Sequence, residues 1–253
     1  MQLGSHRIEF PPEFRDRCKR VVLPSIFTLL NATCGFLSLI AVLRGNLRIA
    51  AELILVAAVM DFFDGRVARF MGGGSDIGAE LDSLADVISF CLAPAFFVYS
   101  WQLHILGGVG TFGAIFFLAM GIVRLARFNV CHASNTNFFI GLPTTMAGCF
   151  IAELFLNFGH ATGTLHPKTI MLVVLACALC MVGPAKFLSM KLKFSQFRKS
   201  ALIVTAVSAA GLAIVFGLHA IVLSFFLAYL LGSLCINFID RRYLRGITKI
   251  ILK

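Results

Sequence analysis

The sequence predicts an all-α protein that crosses the membrane about eight times. Three features support this fold: high apolar content, few charges and apolar runs of bilayer length. Of the 253 residues, 59% are hydrophobic and 13% are charged, and the mean hydropathy is +0.91. Soluble domains average about 45–50% apolar and about 25% charged residues, so the composition argues against a soluble fold, and it excludes disorder. The net charge of +10 does not indicate nucleic acid as a partner, because no soluble surface is expected to carry a basic patch.

Apolar runs of about 20 residues, the length that crosses a bilayer as a helix, recur along the chain. Span two ends and span three begins among aspartates, with the glycine-rich loop 72–75 between them. A tight turn near Gly217–His219 divides the last two spans. The expected spans are, in chain order, 21–43, 48–70, 82–101, 106–127, 143–159, 168–187, 200–217 and 219–239.

The basic residues predict the orientation of these spans. With both termini in the cytoplasm, nineteen Lys and Arg residues lie on that side and only Arg44, Arg48 and Lys168 lie on the other, in agreement with the positive-inside rule. No cleavable signal peptide is expected, because residues 1–20 mix acidic with basic side chains and lack an apolar core. Within them, Phe10–Arg20 is expected to lie along the membrane interface.

Acidic residues are few and unevenly placed. Six of the twelve fall within 26 residues, whereas a single one, Glu153, occurs between Val87 and Ile239. A carboxylate at membrane depth costs about 2.5–3.5 kcal/mol on insertion scales, so clustered acids in such a chain are functional candidates. The six clustered acids are Asp61, Asp64, Asp76, Glu80, Asp82 and Asp86.

The spacing of four of these acids predicts that their side chains converge. Asp61 and Asp64 lie three residues apart near the end of span two, hence on one helical face. Asp82 and Asp86 lie four residues apart at the start of span three, and the short loop lets the two faces meet. Four converging carboxylates cannot all stay ionised without a cation among them. Their oxygens suit Mg²⁺ or Mn²⁺, and two such ions would clamp a phosphate for displacement at phosphorus.

Two other interpretations of the acidic cluster stay open at this point. The acids could line a helix pair that is exposed or is neutralised by Arg66 and Arg69, without any chemistry. They could also form the intramembrane cation site of a transporter, which would show aspartate-dependent ion flux.

The four aspartates belong to a longer motif of eight fixed positions. It runs Asp61-x-x-Asp64-Gly65-x-x-Ala68-Arg69, eight residues, Gly78-x-x-x-Asp82-x-x-x-Asp86. The motif resembles, at every position, the signature of the CDP-alcohol phosphotransferases. This resemblance implies an integral membrane enzyme that transfers a phosphate-linked group from a CDP-linked donor to an alcohol and releases CMP. Membrane prenyltransferases also bind diphosphate through aspartates and Mg²⁺, but they would not require the glycines, alanine and arginine at these spacings.

Within the family, the sequence is similar to the integral-membrane phosphatidylserine synthases. That similarity implies CDP-diacylglycerol as donor and L-serine as acceptor; the alternative is a sister enzyme that uses glycerol phosphate or inositol. Two departures are Cys91, where the subfamily usually has Gly, and Thr145, where it usually has Pro. The similar stretches lie within 23–36, 80–95, 124–144 and 181–191.

The resemblance also implies roles for residues around the motif. Asp61, Asp64 and Asp82 would ligate metal, with Asp86 near the second of two Mg²⁺ or Mn²⁺ ions. Asp86 is further expected to act as the general base toward the serine hydroxyl. The expected donor-binding residues are Gly65, Ala68, Arg69, Gly78, Thr28 and Asn31.

Serine or phosphate recognition is expected at the end of span four. Arg124 and Arg127 lie three residues apart there, hence on one face, and guanidinium groups pair well with carboxylates and phosphates. Asn129 and Lys186 are expected to contribute to the same site. The two arginines could instead serve only as positive-inside signals.

The predicted organisation follows from the spans and the resemblance. An interfacial segment, 1–20, precedes a six-span catalytic domain, 21–199, which is followed by a transmembrane hairpin, 200–239, and a basic cytoplasmic tail, 240–253. The resemblance implies a homodimer among membrane lipids, and a bacterial inner membrane is expected. The distribution of basic residues places the active site on the cytoplasmic side.

Overall fold

The computed structural model describes residues 12–70, 76–131, 138–159, 165–183 and 186–188. These residues are helical, as predicted, apart from short connections and one pairing of two strands. Four predicted features lie outside the described residues: spans seven and eight (200–217 and 219–239), the tail 240–253, and residues 1–11 of the N-terminal segment.

The first two helices form a hairpin. Helix α1 covers Pro12–Leu43 and α2 covers Leu47–Phe70. They pack along each other, and the buried Ser38 hydroxyl of α1 donates to the Ala50 carbonyl of α2 at 2.9 Å. Helix α1 is continuous from Pro12 onward. Residues 12–20 of the expected interfacial segment therefore form one helix with the first span.

A third rod follows the hairpin, and a π-helical turn interrupts it. Its consecutive segments are α3 (Asp76–Asp86), the π-helical segment (Val87–Leu92) and α4 (Ala93–Trp101). Pro94 explains the interruption, because proline lacks an N–H group and its ring crowds the carbonyl four residues earlier. The Ala93 N–H accordingly bonds to the Ile88 carbonyl, five residues back. The wider turn changes the direction of the side chains that follow α3. Such π-helical turns are frequent at functional sites.

The remaining described chain contains three helices and two strands. Strand β1 pairs antiparallel with β2, with Phe139 opposite Phe187. This pairing places the chain before α6 beside the chain after α7. The elements are α5 (Gly108–Cys131, after a 3₁₀ turn at Leu103–Leu106), β1 (Phe138–Ile140), α6 (Thr144–Phe158), α7 (Pro167–Val182) and β2 (Lys186–Leu188).

Three described helical stretches are long and apolar enough to cross a membrane: Ser25–Leu43, Ile77–Trp101 and Gly108–Val130. The protein is therefore a membrane protein. Helix α2 has 24 residues, but charged side chains at both of its ends lower its hydropathy. Helices α6 and α7 are apolar and shorter, at 15 and 16 residues.

The predicted span 168–187 is too long at its C-terminal end. Helix α7 ends at Val182, because Gly183 precedes Pro184 and the residue before a proline is biased away from helical conformation. Lys186 consequently lies in β2 and not in a membrane span.

The core packs α6 against the third rod. Phe155 makes edge-on contacts with Phe97 and Trp101, at 5.2 Å between ring centroids in both pairs. Gly148 of α6 faces the π-helical segment so closely that a Cβ there would lie 3.2 Å from the Phe90 Cα. This close approach fixes the position of α6, whose first residues reach the aspartates of α2.

Candidate active site

The structure brings three of the four predicted aspartates into one cluster. Asp61 and Asp64 project from α2 and Asp82 from α3, and one carboxylate oxygen of each lies within 4.8 Å of the others. Asp64 is buried and the other two are half-buried. We call these three residues the aspartate cluster; its oxygens are close enough together to share a cation.

Asp86 lies one turn beyond Asp82, at the end of α3, and is buried. The side-chain amide nitrogen of Asn31 in α1 donates a hydrogen bond to Asp86 Oδ1 at 3.3 Å. Its charge interacts with those of Asp61 and Asp82. Asp86 therefore borders the aspartate cluster and is bonded to α1.

Helix α1 supports the acids through two buried polar residues. The Thr28 hydroxyl hydrogen-bonds the Asp64 carboxylate, and Asn31 bonds Asp86 as described. Ser89, in the π-helical segment, donates to the Asn31 carbonyl at 2.8 Å. A Cβ at Gly35 would overlap Ser89, so only glycine lets α1 approach this closely. Thr28 and Asn31 were expected to bind the donor, and the structure places both against the aspartates.

Two residues of the cluster, and Asn31 beside Asp86, carry buried oxygen atoms without hydrogen-bond partners. Among the described residues, these atoms include Asp64 Oδ2, Asp82 Oδ1 and Asn31 Oδ1. All three are acceptors, and a buried acceptor left without a partner costs about 1–3 kcal/mol. A divalent cation would provide the partner that these oxygens lack. The residues present therefore fit a bound Mg²⁺ or Mn²⁺.

The start of α6 contributes two contacts that the sequence did not predict. Thr145 donates its hydroxyl to Asp61 Oδ2 at 3.4 Å, and Thr144 accepts a hydrogen bond from Arg124 Nη1 at 3.5 Å. The only sequence signal at Thr145 was its departure from the proline usual in the resembling subfamily. Its partner lies 84 residues away, so local pattern could not reveal the contact.

The two arginines of α5 lie in different environments although they are three residues apart. Arg124 is buried, its guanidinium lies 5.1 Å from the Phe128 ring centroid, and its charge attracts Asp61 and Asp86. Arg127 donates to the Val182 carbonyl at the end of α7, at 3.0 Å. Arg124 thus faces the acids, whereas Arg127 ties α5 to α7.

The other two residues expected to bind serine, Asn129 and Lys186, lie on α5 and β2 respectively. Asn129 is exposed, lies within α5 and accepts a hydrogen bond from Ser83 of α3 at 3.0 Å. Lys186 is opposite Ile140 in the strand pairing, and only its backbone is described.

Gly65, one of the small residues of the motif, has open space beside it. A Cβ at Gly65 would meet only the tip of Arg69, at 4.0 Å, so packing does not require glycine there. Ala68 and Gly78 are half-buried and Arg69 is exposed. Arg66, one alternative partner for the acids, stacks over the Phe62 ring at 4.7 Å.

The fold and the site together define a class: a helical membrane protein in which three carboxylates from two consecutive helices lie close enough together to hold a cation. Residues 21–225 match the CDP-alcohol phosphatidyltransferase family, and the chain belongs to this family. The family predicted from the motif is therefore confirmed.

Relatives within the family share about a third of their residues with this chain. The CDP-diacylglycerol–serine O-phosphatidyltransferase of Bacillus subtilis is 34% identical over 180 residues, which are 71% of this chain and 93% of that protein. The archaetidylserine synthase of Methanothermobacter thermautotrophicus is 35% identical over 170 residues, 66% of this chain and 70% of that protein. A Helicobacter pylori CDP-diacylglycerol–serine O-phosphatidyltransferase is 34% identical over 131 residues, 51% of this chain and 55% of that protein.

Proposed function

We propose that this protein transfers the phosphatidyl group of CDP-diacylglycerol to L-serine, giving phosphatidylserine and CMP. The choice of donor and acceptor is carried by the similarity to the Bacillus subtilis enzyme, whose name states both and whose length is 93% covered. The aspartate cluster supports the chemistry, because it supplies hard oxygen ligands where a diphosphate must be held.

Metal binding is assigned to Asp61, Asp64, Asp82 and Asp86, with two Mg²⁺ or Mn²⁺ ions. Bound there, the ions would neutralise the charge of the donor diphosphate. The unpartnered oxygens of Asp64 and Asp82 support this assignment.

Asp86 acts as the general base in the proposed reaction. It accepts the proton of the serine hydroxyl as the serine oxygen forms a bond to the lipid-bearing phosphorus. The bond from that phosphorus to the CMP oxygen breaks, and CMP leaves with its electron pair. A positioned base contributes typically about 10²–10⁴-fold in rate, and the Asn31 amide, bonded to Asp86 Oδ1, provides the positioning.

The two substrates are assigned to different sides of the acids. Gly65, Ala68 and Gly78 would line the cytidine-phosphate pocket with Arg69 at its edge, because their side chains are small and the space beside Gly65 is open. Arg124 would pair with the serine carboxylate, since it is the described arginine of α5 whose charge acts on the acids.

The proposed setting is the inner membrane of a bacterium, with the active site facing the cytoplasm. Eight spans with both termini inside, a catalytic domain over 21–199 and a homodimer complete the proposal. The distribution of basic residues, nineteen against three, supports the orientation. A reporter fused after Lys253 that is active outside the cell would contradict it.

The test is release of CMP from CDP-diacylglycerol by the purified protein. We expect release that requires L-serine and Mg²⁺ or Mn²⁺, that stops on chelation and that resumes when metal is restored. Asp86→Asn should keep donor binding and abolish turnover. Release that is indifferent to L-serine but stimulated by glycerol phosphate or inositol would contradict the acceptor, and substantial turnover by Asp86→Asn would contradict the base.

A further inference from the structure

The first turn of α6 contacts the aspartate cluster from a helix that carries no residue of the eight-position motif. Thr145 is the second residue of α6, is half-buried, and donates to Asp61 Oδ2 at 3.4 Å. Thr145 thus bonds one of the two carboxylate oxygens of Asp61.

Several constraints hold the Thr145 hydroxyl in place. Threonine is β-branched, which restricts rotation about its first side-chain bond. Pro143 fixes the backbone immediately before α6, and Gly148 seats the helix against the π-helical segment. The donor is therefore presented by a rigid element, not by a mobile loop.

Thr144, the neighbouring residue, contacts the other side of the site. It is fully buried and accepts the hydrogen bond from Arg124. Two consecutive hydroxyls thus join α6 to Asp61 of α2 and to Arg124 of α5. Hydrogen bonds to a metal-ligating side chain set the orientation and basicity of that side chain.

We propose that Thr145 is a positioning residue for the metal site. Its hydroxyl holds Oδ2 of Asp61, so that the carboxylate is oriented before metal binds and need not be ordered by it. This inference rests on one part of the proposed function, which is that the aspartate cluster binds metal.

The experiment measures Mn²⁺ binding to the purified full-length protein in detergent, without substrates, by electron paramagnetic resonance. Thr145→Val removes the hydroxyl and keeps the branched shape; Thr145→Ser keeps the hydroxyl. Thr33→Val is the matched control, because the exposed Thr33 bonds the Leu29 carbonyl of its own helix, at 2.7 Å, and no other residue in the described part of the chain. We expect Thr145→Val to weaken Mn²⁺ binding by about tenfold, and the serine variant and the control to bind as the unmodified protein does.

Three results would overturn the proposal: unchanged Mn²⁺ affinity in Thr145→Val, equal loss in Thr145→Ser, or equal loss in Thr33→Val. If thermal melting shows that Thr145→Val is unfolded, Thr145→Ala carries the same expectation. Mn²⁺ binding without serine-dependent CMP release would contradict the proposed function and leave the comparison of variants valid. An unmodified protein that binds no Mn²⁺ would overturn both.

Discussion

Replacement of Asn31 by leucine separates two roles for this buried residue of α1. The sequence predicted that Asn31 binds the donor, whereas the structure bonds its amide to Asp86. Leucine keeps the branch at Cγ and removes both polar atoms. If Asn31 positions the base, the variant should lower kcat and leave the KM for CDP-diacylglycerol nearly unchanged.

The expected size of the effect follows from burial and distance. Asn31 is fully buried and Asp86 is 8% exposed, so water cannot readily replace the lost donor. A hydrogen bond to a charged group contributes about 1.5–3 kcal/mol, and the 3.3 Å separation favours the lower part of that range. A loss of about 1.5–2 kcal/mol in the transition state corresponds to a roughly 10–30-fold lower kcat.

The assay is steady-state CMP release at varied CDP-diacylglycerol and saturating L-serine and Mn²⁺. Ser38→Ala is the matched control, because Ser38 is also buried in α1 and bonds across to α2 away from the acids. It should cost about 1 kcal/mol of stability with little change in kcat. If Asn31→Leu misfolds, Asn31→Ala carries the same expectation.

A raised KM for CDP-diacylglycerol with unchanged kcat would refute the positioning role and would support the prediction that Asn31 binds the donor. An equal loss of kcat in Ser38→Ala would also refute it, because the effect would then belong to the packing of α1 in general.

Two further predictions concern packing and recognition. Gly35→Ala should lower the thermal unfolding midpoint, because the new Cβ overlaps Ser89; overpacking costs about 1–3 kcal/mol, or roughly 2–4 °C per kcal/mol at this chain length. Gly108→Ala, whose Cβ meets no atom within 4 Å, is the control, and equal melting of the two variants would contradict the close approach of α1. Arg124→Ala should raise the KM for L-serine by about tenfold or more, since the loss of a charge-assisted pair is costly. Arg127→Ala should mainly lower the unfolding temperature, because Arg127 bonds the Val182 carbonyl. A larger increase in the KM for L-serine in Arg127→Ala than in Arg124→Ala would contradict these two roles.

The helices and the family were predictable from the sequence because both depend on local pattern. Bilayer-length apolar runs specify helices, and six of the expected spans overlap described helices. The one boundary that is wrong is local: α7 ends at Val182, before the expected end of span six. Span three is confirmed as a helical stretch, with a π-helical turn before Pro94 that the apolar pattern did not indicate. The motif identified the family through eight fixed positions within 26 residues, a spacing that needs no tertiary information.

The convergence of Asp61, Asp64 and Asp82 could also be predicted, since helical spacing and a short loop leave few other arrangements. The partners of these acids could not. Thr28 and Asn31 come from α1, Thr145 comes from 84 residues beyond Asp61, and no local periodicity records which helices pack together.

The sequence by itself determined that this is a helical membrane protein of the CDP-alcohol phosphatidyltransferase family with clustered aspartates, because composition and short-range spacing carry that information. Only the tertiary structure decided which side chains hold those aspartates. It separated Arg124, which faces the acids, from Arg127, which ties two helices together. The two arginines share a residue type and a helical face, and their environments differ because α6 packs beside one and α7 ends beside the other.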